Sequence, residues 1–268
     1  SCLVGSEMCI RDRDKHYKAD ICVYGGTASG VMAALAAEKE GSSVILIEPT
    51  RCLGGMTGGG INHLDWGKGE TVGGSTYKIL MEGLKEQKRA HGGHAKHGIG
   101  NKQYRERFKK LVKDRGITVI YDHRVGKVQV GDKTLDKPTR QKPIAMGEKI
   151  PSKNKNNSIQ SIILDYAPVD ETGCPIPEPK KRNVITVSAK VFIDCSYEGD
   201  ILGMSGVRYT WGRESRNHYG ESLAGVRPSL WVHDIDPYVE PGNPESGLIP
   251  FIQDRKLGPL GSADALSM

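Results

Sequence analysis

The stretch DICVYGGTASG, residues 20–30, begins as a short apolar strand and bends through a run of glycines. The segment that follows, Ser29–Glu40, has the alanine and leucine content of a helix, which Gly41 is placed to end. Val44–Ile47 is apolar at every position, as a buried parallel strand is. The chain therefore opens with a predicted βαβ unit of about thirty residues, whose first strand is Asp20–Tyr24 and whose turn is Gly25–Gly30.

The spacing inside this unit is that of a dinucleotide site. Thr27 takes the place of the second glycine of the usual motif, but Ala34 follows Gly30 by four residues and allows close helix–strand packing. Glu48 ends the second strand, where a carboxylate takes the ribose hydroxyls while the pyrophosphate sits on the helix N-terminus. A carboxylate there also repels a 2′-phosphate, which argues against NADP. The alternative is a strand–turn–helix that binds no ligand.

Two later segments bear on the choice between FAD and NAD. The sequence EPTRCLGGMT, residues 48–57, is a glycine-rich loop directly after the ribose carboxylate, whereas an NAD domain usually proceeds to its next helix. The sequence VFIDCSYEGD, residues 191–200, follows a series of predicted antiparallel strands. We predict two helices after the βαβ unit, Thr76–Ala90 and Asn101–Arg115. The strands predicted after them are Gly116–Tyr121, Arg124–Val130, Ile159–Tyr166, Asn183–Ser188 and Val191–Cys195. Loop inserts are predicted at 131–158 and 168–179.

Composition limits the function classes. Hydrophobic residues make up 37% and charged residues 26%, as in a soluble globular protein, and no apolar stretch is long enough to span a bilayer. The net charge is +6, and much of the basic excess lies between Lys127 and Lys155, a segment without aromatic residues. Nucleic-acid binding favours basic residues interleaved with aromatics, so we interpret this segment as a solvated loop and expect no nucleic-acid partner.

The first residues are unrelated to this pattern. Ser1–Asp12 has neither a hydrophobic period nor a signal-peptide core, and Val4–Asp12 resembles the translation of a transposon-end adapter used in sequencing libraries. We therefore expect residues 1–13 to be an unstructured assembly artefact and the chain to be truncated at both ends.

Taken together, these motifs resemble the FAD-dependent oxidoreductase family related to the glutathione-reductase fold. The similarity covers nearly all of Ala19–Gly225 and is greatest to a bacterial branch with the patterns YGGTxAG…IEP…LGGMT and FIDATYEGD. It implies an α/β, Rossmann-like FAD/NAD(P)-binding fold, with a parallel sheet, helices on one side and a three-stranded antiparallel β-meander on the other. It further implies FAD as cofactor, hydride transfer from a small organic substrate, an FAD-binding domain at 14–212 and the start of a substrate domain at 213–268. We expect this fragment alone to be inactive.

The resemblance also assigns roles by position. It implies a pyrophosphate-binding turn, a ribose carboxylate at Glu48, an adenosine-side Arg51 and a backbone contact between Val125 and adenine. It places a second glycine-rich segment close to the pyrophosphate or flavin, and Asp200 at the polyol or phosphate end of the dinucleotide. The residues of the turn are Gly25, Gly26, Thr27, Ala28, Ser29 and Gly30; those of the second segment are Gly55, Met56 and Thr57; Gly199 precedes Asp200.

Several alternatives stay open. Asp200 could instead cap a helix that starts near Ile201. Three histidines (His91, His94 and His97) could bind a metal but lack a nearby carboxylate, and a solvated loop explains them. The alternatives for His63 and Asp65 are a proton-transfer role and a hydrogen-bonded loop anchor, and His63 could also attach the flavin covalently. The rival functions are an NAD-dependent dehydrogenase and a non-catalytic dinucleotide-fold binding module; the latter typically loses the ribose carboxylate and phosphate glycines that are present here.

Overall fold

The computed structural model describes residues 15–59, 73–77, 101–138, 158–207, 209, 212–227, 236–250 and 259–263. The chain divides into two compact units, residues 1–140 with 152–207, and residues 141–151 with 208–268. The residues assigned to the cofactor from sequence all fall within the first unit.

The first unit is built on one seven-stranded sheet of order β3-β2-β1-β7-β6-β4-β5. Strands β1, β2, β3 and β7 pair in parallel, while β4, β5, β6 and the first half of β7 pair antiparallel. The strands are β1 Lys15–Tyr24, β2 Val44–Glu48, β3 Thr118–Tyr121, β4 His123–Val130, β5 Lys133–Leu135, β6 Ile159–Tyr166 and β7 Lys181–Asp194.

The helices that the structure describes from end to end in this unit are α1 Ala28–Lys39, α2 Gly55–Gly59, α3 Asn101–Asp114 and α4 Asp200–Met204. The first helix begins one residue before the predicted start, and Gly41 follows its end with a φ of +83°, the left-handed backbone expected of a glycine at that position.

The sheet separates two hydrophobic clusters. On one face, α1 and α3 pack through Val31, Ala34 and Phe108 against Val23 and Leu46 of the parallel strands. On the other face, the antiparallel strands contribute residues such as Val128, Ile162 and Leu164, which pack with Tyr24 and Ile47. Alternate residues of β1 and β2 thus face opposite clusters, as the side-chain period of a strand requires. The predicted arrangement is confirmed for α1 and α3, which lie on one side of the parallel strands with the meander on the other; α4 instead packs on the meander side through Ile201 and Met204.

Two predicted strands proved to be one. The segments Asn183–Ser188 and Val191–Cys195 were expected as separate strands, but β7 runs without interruption from Lys181 to Asp194. Its first half pairs with β6 while residues from Ile185 onward pair with β1. The same pairing extends β1 to Lys15, five residues before the predicted start at Asp20, because Lys15–Ala19 align with Ile185–Ala189.

The segment 131–158 was predicted as loop throughout, and this is wrong at its start. Lys133–Leu135 forms β5, which returns against β4 after a turn at Gly131, where φ is +55°. Three polar or charged residues in β5 and its turn interrupt the apolar pattern that predicts a strand, so the sequence did not indicate this short edge strand. Residues 1–14, most of Thr76–Ala90 and His63, Asp65, His91, His94 and His97 lie outside the described residues.

The second unit contains a short helix, α5 Arg216–Tyr219, and a 3₁₀ turn at Pro244–Ser246. Gly225 packs against the backbone of Gly261 and Ser262, and Val226 exchanges backbone hydrogen bonds with the same pair. A pocket of mixed charge in this unit is lined by Gly212, Arg213, Glu214, Glu221, Ser222, Leu223, Ala224 and Arg227. Within the described part of the chain, no helix has the length and apolar character needed to cross a membrane.

Candidate functional site

The turn between β1 and α1 has no room for side chains at its glycines. A Cβ on Gly25 would lie 2.7 Å from the Ser196 nitrogen, and one on Gly30 would lie 1.9 Å from the Gly25 carbonyl oxygen. Gly25 also has a φ of +90°. The glycines therefore allow the turn to pass directly over the end of β7, and they bring the N-terminus of α1 close to the sheet.

Hydrogen bonds of the Thr27 side chain stabilise this turn. It is the N-cap of α1, and its hydroxyl accepts the Gly30 N–H at 3.2 Å. The same hydroxyl donates to the Cys195 carbonyl at 2.9 Å, so its remaining lone pair accepts from the Ser29 hydroxyl, also at 2.9 Å. The Thr27 side chain is thus fully used by the protein. The turn presents backbone N–H groups to a ligand. Ala28 and Ser29 lie in the first helical turn, where N–H groups have no carbonyl partner within the helix.

The second glycine-rich segment docks onto this turn. The Gly54 N–H donates to the Gly26 carbonyl at 2.7 Å, and Thr27 and Gly54 form a parallel bridge. A Cβ on Gly55 would lie 3.3 Å from the Thr27 Cα. Residues 54–57 therefore lie directly beside the helix N-terminus. Met56 is exposed and Thr57 half-buried on this segment.

Glu48 stands at the carboxyl end of β2 and is buried. Its Oε2 accepts the Gly26 N–H at 2.7 Å, while Oε1 accepts the Thr50 N–H and hydroxyl at 2.7 and 2.5 Å. Burial raises the pKa of this carboxyl group, and the three hydrogen bonds oppose the rise. Among the described residues Gly26 alone donates to Oε2, which leaves that oxygen a lone pair for a ribose hydroxyl.

Arg51 is held beside the ends of β3 and β4. Its Nε and Nη2 both donate to the Asp122 carboxylate, with Nη2 to Oδ2 at 2.7 Å. Asp122 is the single residue between β3 and β4 and adopts a φ of +61°, a conformation that aspartate tolerates better than most residues. The Arg51 side chain is 65% exposed despite this pair, so the guanidinium is fixed in place with part of its surface open.

The end of β7 is shaped by its own side chains. The Asp194 carboxylate accepts the N–H and hydroxyl of Ser196 at 3.0 and 2.6 Å and the Leu202 N–H at 2.9 Å. The Ser196 hydroxyl accepts the N–H groups of Gly199 and Asp200, both at 3.0 Å. Asp194 and Ser196 thus accept two of the first three N–H groups of α4, those of Asp200 and Leu202. Gly199 is the N-cap, with a φ of +69°, and Asp200 is the first helical residue, so its carboxylate is not the helix cap.

The Asp200 carboxylate is half-buried, and Tyr24 lies near it. The Tyr24 hydroxyl accepts the Val125 N–H at 3.2 Å. The backbone of Val125 is predicted to contact adenine, and its N–H has this partner within the protein. Burial raises the pKa of Asp200, and the Tyr24 hydroxyl opposes this.

Tyr197 crosses between the two motif segments. Its hydroxyl accepts the Met56 N–H at 2.8 Å. A Cβ on Gly55 would lie 2.3 Å from the same hydroxyl oxygen, which is too close for any side chain at that position. The backbone of Met56 is therefore held by a residue 141 positions later in the chain.

The structure brings most of the predicted site residues together. The predicted strands Asp20–Tyr24 and Val191–Cys195 lie side by side in the sheet as parts of β1 and β7, and they pair in parallel with Tyr24 opposite Asp194. The turn 25–30, Glu48, segment 54–57 and segment 195–200 consequently gather at one sheet edge, where ligands of α/β sheets bind. Arg51 and Val125 are tied to Asp122 and Tyr24 respectively.

Sequence reasoning did not identify several of the residues that build this edge: Tyr24, Thr50, Asp122, Asp194, Ser196 and Tyr197. The spacing Asp194-x-Ser196 is a usable signal, because a side chain that bonds the backbone two residues on marks a turn. The tyrosine contacts have no local signal, since each joins segments more than a hundred residues apart.

This arrangement fits a dinucleotide. The helix N-terminus carries no acidic residue in its first turn, glycines keep side chains away from the backbone, and a buried carboxylate ends the second strand, as pyrophosphate and ribose require.

One family profile and several solved structures are similar to this chain. The sequence profile of the family described as FAD dependent oxidoreductase matches residues 20–146 and 176–260. No curated protein sequence matches the chain. Similar solved structures include a geranylgeranyl bacteriochlorophyll reductase-like protein from Thermoplasma acidophilum (14% identity, 72% of this chain and 43% of that chain, TM-score 0.40). Others are L-proline dehydrogenase from P. horikoshii (13% identity, 78% and 26%, TM-score 0.35) and the myxobacterial halogenase CndH, described as a variant of FAD-dependent halogenases (13%, 67% and 37%, TM-score 0.38). The chain spans less than half the length of each of these proteins.

Proposed function

The chain belongs to the FAD dependent oxidoreductase family, and from that premise we propose that its first unit binds FAD along the edge formed by residues 25–30, 48, 54–57 and 195–200. FAD is the cofactor of this family. In this proposal the FAD-binding domain spans residues 14–212, and residues 213–268 contribute to a substrate domain.

Each part of the edge has a task suited to its chemistry. The N-terminus of α1, with the N–H groups of Ala28 and Ser29, binds the pyrophosphate. Glu48 accepts a hydrogen bond from an adenosine ribose hydroxyl through the free lone pair of Oε2. Arg51, held by Asp122, presents a fixed positive charge at the adenosine side.

The flavin half is assigned to the other side of the turn. Residues 55–57 bring backbone close to the flavin or pyrophosphate, and Asp200 accepts from the polyol. Val125 contributes its backbone carbonyl rather than its N–H to the adenine side. When bound, FAD supplies the acceptor for a hydride taken from a small organic substrate, while these residues bind and orient it.

The observation that carries the proposal is the direct contact between three segments distant in sequence. Gly26 donates to Glu48 at 2.7 Å, Gly54 donates to Gly26 at 2.7 Å and Thr27 donates to Cys195 at 2.9 Å. A turn that only connected a strand to a helix would not need a buried carboxylate and a second glycine-rich segment on it.

The test is titration of the purified chain with FAD, followed by flavin fluorescence and by the flavin absorption band. We expect saturable one-to-one binding of FAD and none of NAD⁺ or NADP⁺ over the same concentrations. Saturable binding of NAD⁺ with no binding of FAD would overturn the proposal in favour of a nicotinamide-dependent enzyme.

A further inference from the structure

The Tyr197 hydroxyl lies between the two glycine-rich segments of the edge, and the proposed function gives it no role. It accepts the Met56 N–H at 2.8 Å. A Cβ on Gly55 would lie 2.3 Å from the hydroxyl oxygen, so only a glycine, here with a φ of +50°, leaves the hydroxyl its space. Although Tyr197 is 57% exposed, its hydroxyl is therefore held against the backbone at a defined place.

The hydrogen of this hydroxyl has no acceptor in the part of the chain that the structure describes. A tyrosine hydroxyl can accept and donate at the same time. The Met56 N–H can only donate, so it uses a lone pair of the Tyr197 oxygen and leaves the phenol hydrogen for another acceptor. The hydroxyls of Thr27 and Ser29, by contrast, are used inside the protein, by each other and by the Cys195 carbonyl.

This available donor lies beside the start of α1. The position that a Cβ on Gly55 would take is 2.3 Å from the Tyr197 oxygen and 3.3 Å from the Cα of Thr27, the N-cap of α1. The next N–H groups, those of Ala28 and Ser29, are the ones proposed to bind the pyrophosphate. A hydroxyl donor next to them suits a phosphate oxygen, because hydrogen bonds to charged acceptors are stronger than those between neutral groups.

We propose that Tyr197 binds the cofactor directly, by donating its phenol hydrogen to a phosphate oxygen of the FAD pyrophosphate while it accepts the Met56 N–H. The inference rests on the proposed function, since it takes the pyrophosphate to lie at the N-terminus of α1. It adds a side chain that follows β7 to a pyrophosphate site otherwise assigned to backbone N–H groups.

The first test compares ligands with and without phosphate. Affinities of the full chain for FAD, ADP and adenosine are measured at neutral pH, FAD by flavin fluorescence and the other two by their displacement of FAD. We expect Tyr197→Phe to weaken FAD and ADP binding about tenfold, as the loss of a hydrogen bond to a charged group does, and to change adenosine affinity less than about twofold. Tyr219→Phe, at a tyrosine of similar exposure (63%), is the matched control and should change none of the three affinities.

A second variant distinguishes donation to phosphate from a purely structural hold on Met56, and it covers the case in which Tyr197→Phe does not fold. Replacement of Tyr197 with 3-fluorotyrosine keeps the ring and the hydroxyl, but the fluorine makes the hydroxyl a stronger donor and a weaker acceptor. This variant should bind FAD and ADP more tightly than the wild type if the hydroxyl donates to phosphate, and more weakly if it only accepts from Met56.

Three results would overturn the inference while FAD binding by the wild type leaves the proposed function in place. They are unchanged or weaker FAD binding by the fluorinated variant, equal losses of ADP and adenosine affinity in Tyr197→Phe, and no loss of FAD affinity in Tyr197→Phe. Failure of the wild type to bind FAD would instead overturn the proposed function, and this inference with it.

Discussion

At the residue scale, Glu48 performs two tasks that a mutation removes together. Its carboxylate accepts from Gly26 and Thr50 inside the protein, and the proposed ribose contact uses the remaining lone pair of Oε2. Glu48→Ala should weaken FAD binding by about 1.5–3 kcal/mol, the range for one lost hydrogen bond to a charged group. Fluorescence titration of the folded variant measures this.

The matched control for that experiment is Thr50→Val, which removes one internal donor to Oε1 but keeps the carboxylate. It should lower the unfolding free energy by about 1 kcal/mol and leave FAD affinity within about threefold. If Glu48→Ala changed stability alone, with unaltered affinity, the ribose assignment would fail.

His123 gives a prediction about pH. Its Nδ1 lies 2.6 Å from the Tyr121 carbonyl and must donate to it, so Nε2 carries the lone pair in the neutral ring. That atom is buried without a hydrogen-bond partner among the described residues, and burial lowers the pKa of His123. The neutral ring is therefore favoured in the folded state, while the unfolded chain takes up a proton near its ordinary value of about 6.5.

The consequence is a loss of stability in acid. The contribution of His123 is fully present above about pH 6.5 and is lost as the pH falls from there toward the lowered folded-state value, at up to about 1.4 kcal/mol per pH unit. Urea unfolding at several pH values should show this slope. His123→Asn, which keeps a donor to Tyr121 but does not titrate, should reduce it; an identical slope in both proteins would contradict the assignment.

Individual residues also show which features of the site can be predicted from the sequence and which cannot. Glu48 was placed correctly because its position follows from the spacing of strand and turn, which is local. The partners of Tyr24 and Tyr197 could not be foreseen, because a hydroxyl that reaches across 101 or 141 residues leaves no periodic trace in the chain. The role of Asp122 was missed for a different reason, since an aspartate between two strands is usually only a turn residue.

At the scale of elements, Thr27 joins α1 to β7. Replacing it with valine keeps the shape of the side chain but removes an acceptor for the Gly30 N–H and a donor to the Cys195 carbonyl. We expect a loss of about 1–2 kcal/mol in the unfolding free energy, measured in urea. Thr27→Ser, the matched control, retains both hydrogen bonds and should lose less than half as much; equal losses would show that the methyl group, rather than the hydroxyl, fastens the helix.

The elements themselves were largely predictable. The apolar run of β2 and the helix α1 carry strong local signals, and β6 was placed with its bounds correct. The continuity of β7 was not visible, because Ala189 and Lys190 interrupt its apolar pattern. The pairing of Ala19 with Ala189, and the contact of Lys190 with Asp20 at 2.7 Å, carry the strand through that interruption. Pairing between distant segments thus overrides a local break in pattern.

At the scale of the whole molecule, the question is whether segments spread over 170 residues act as one site. Parallel pairing of β1 with both β2 and β7 brings their carboxyl ends to the same edge. Because the proposed FAD site exists only when the edge is assembled, saturation at about 100 times Kd should stabilise the edge by about 2.7 kcal/mol. Amide exchange that proceeds through opening of this edge should slow by about a hundredfold.

Hydrogen exchange with mass spectrometry can follow peptides that cover residues 24–30, 54–57 and 196–200 at increasing FAD concentration. If the three segments form one site, they should gain protection with the same half-saturating concentration, because a single binding event closes all of them. NAD⁺ at the same concentrations, and FAD with the Glu48→Ala variant, serve as controls in which protection should be absent or shifted to higher concentration. Protection of residues 24–30 alone would mean that the turn binds a nucleotide without the end of β7, and the single-site assignment of Asp200 would then be wrong.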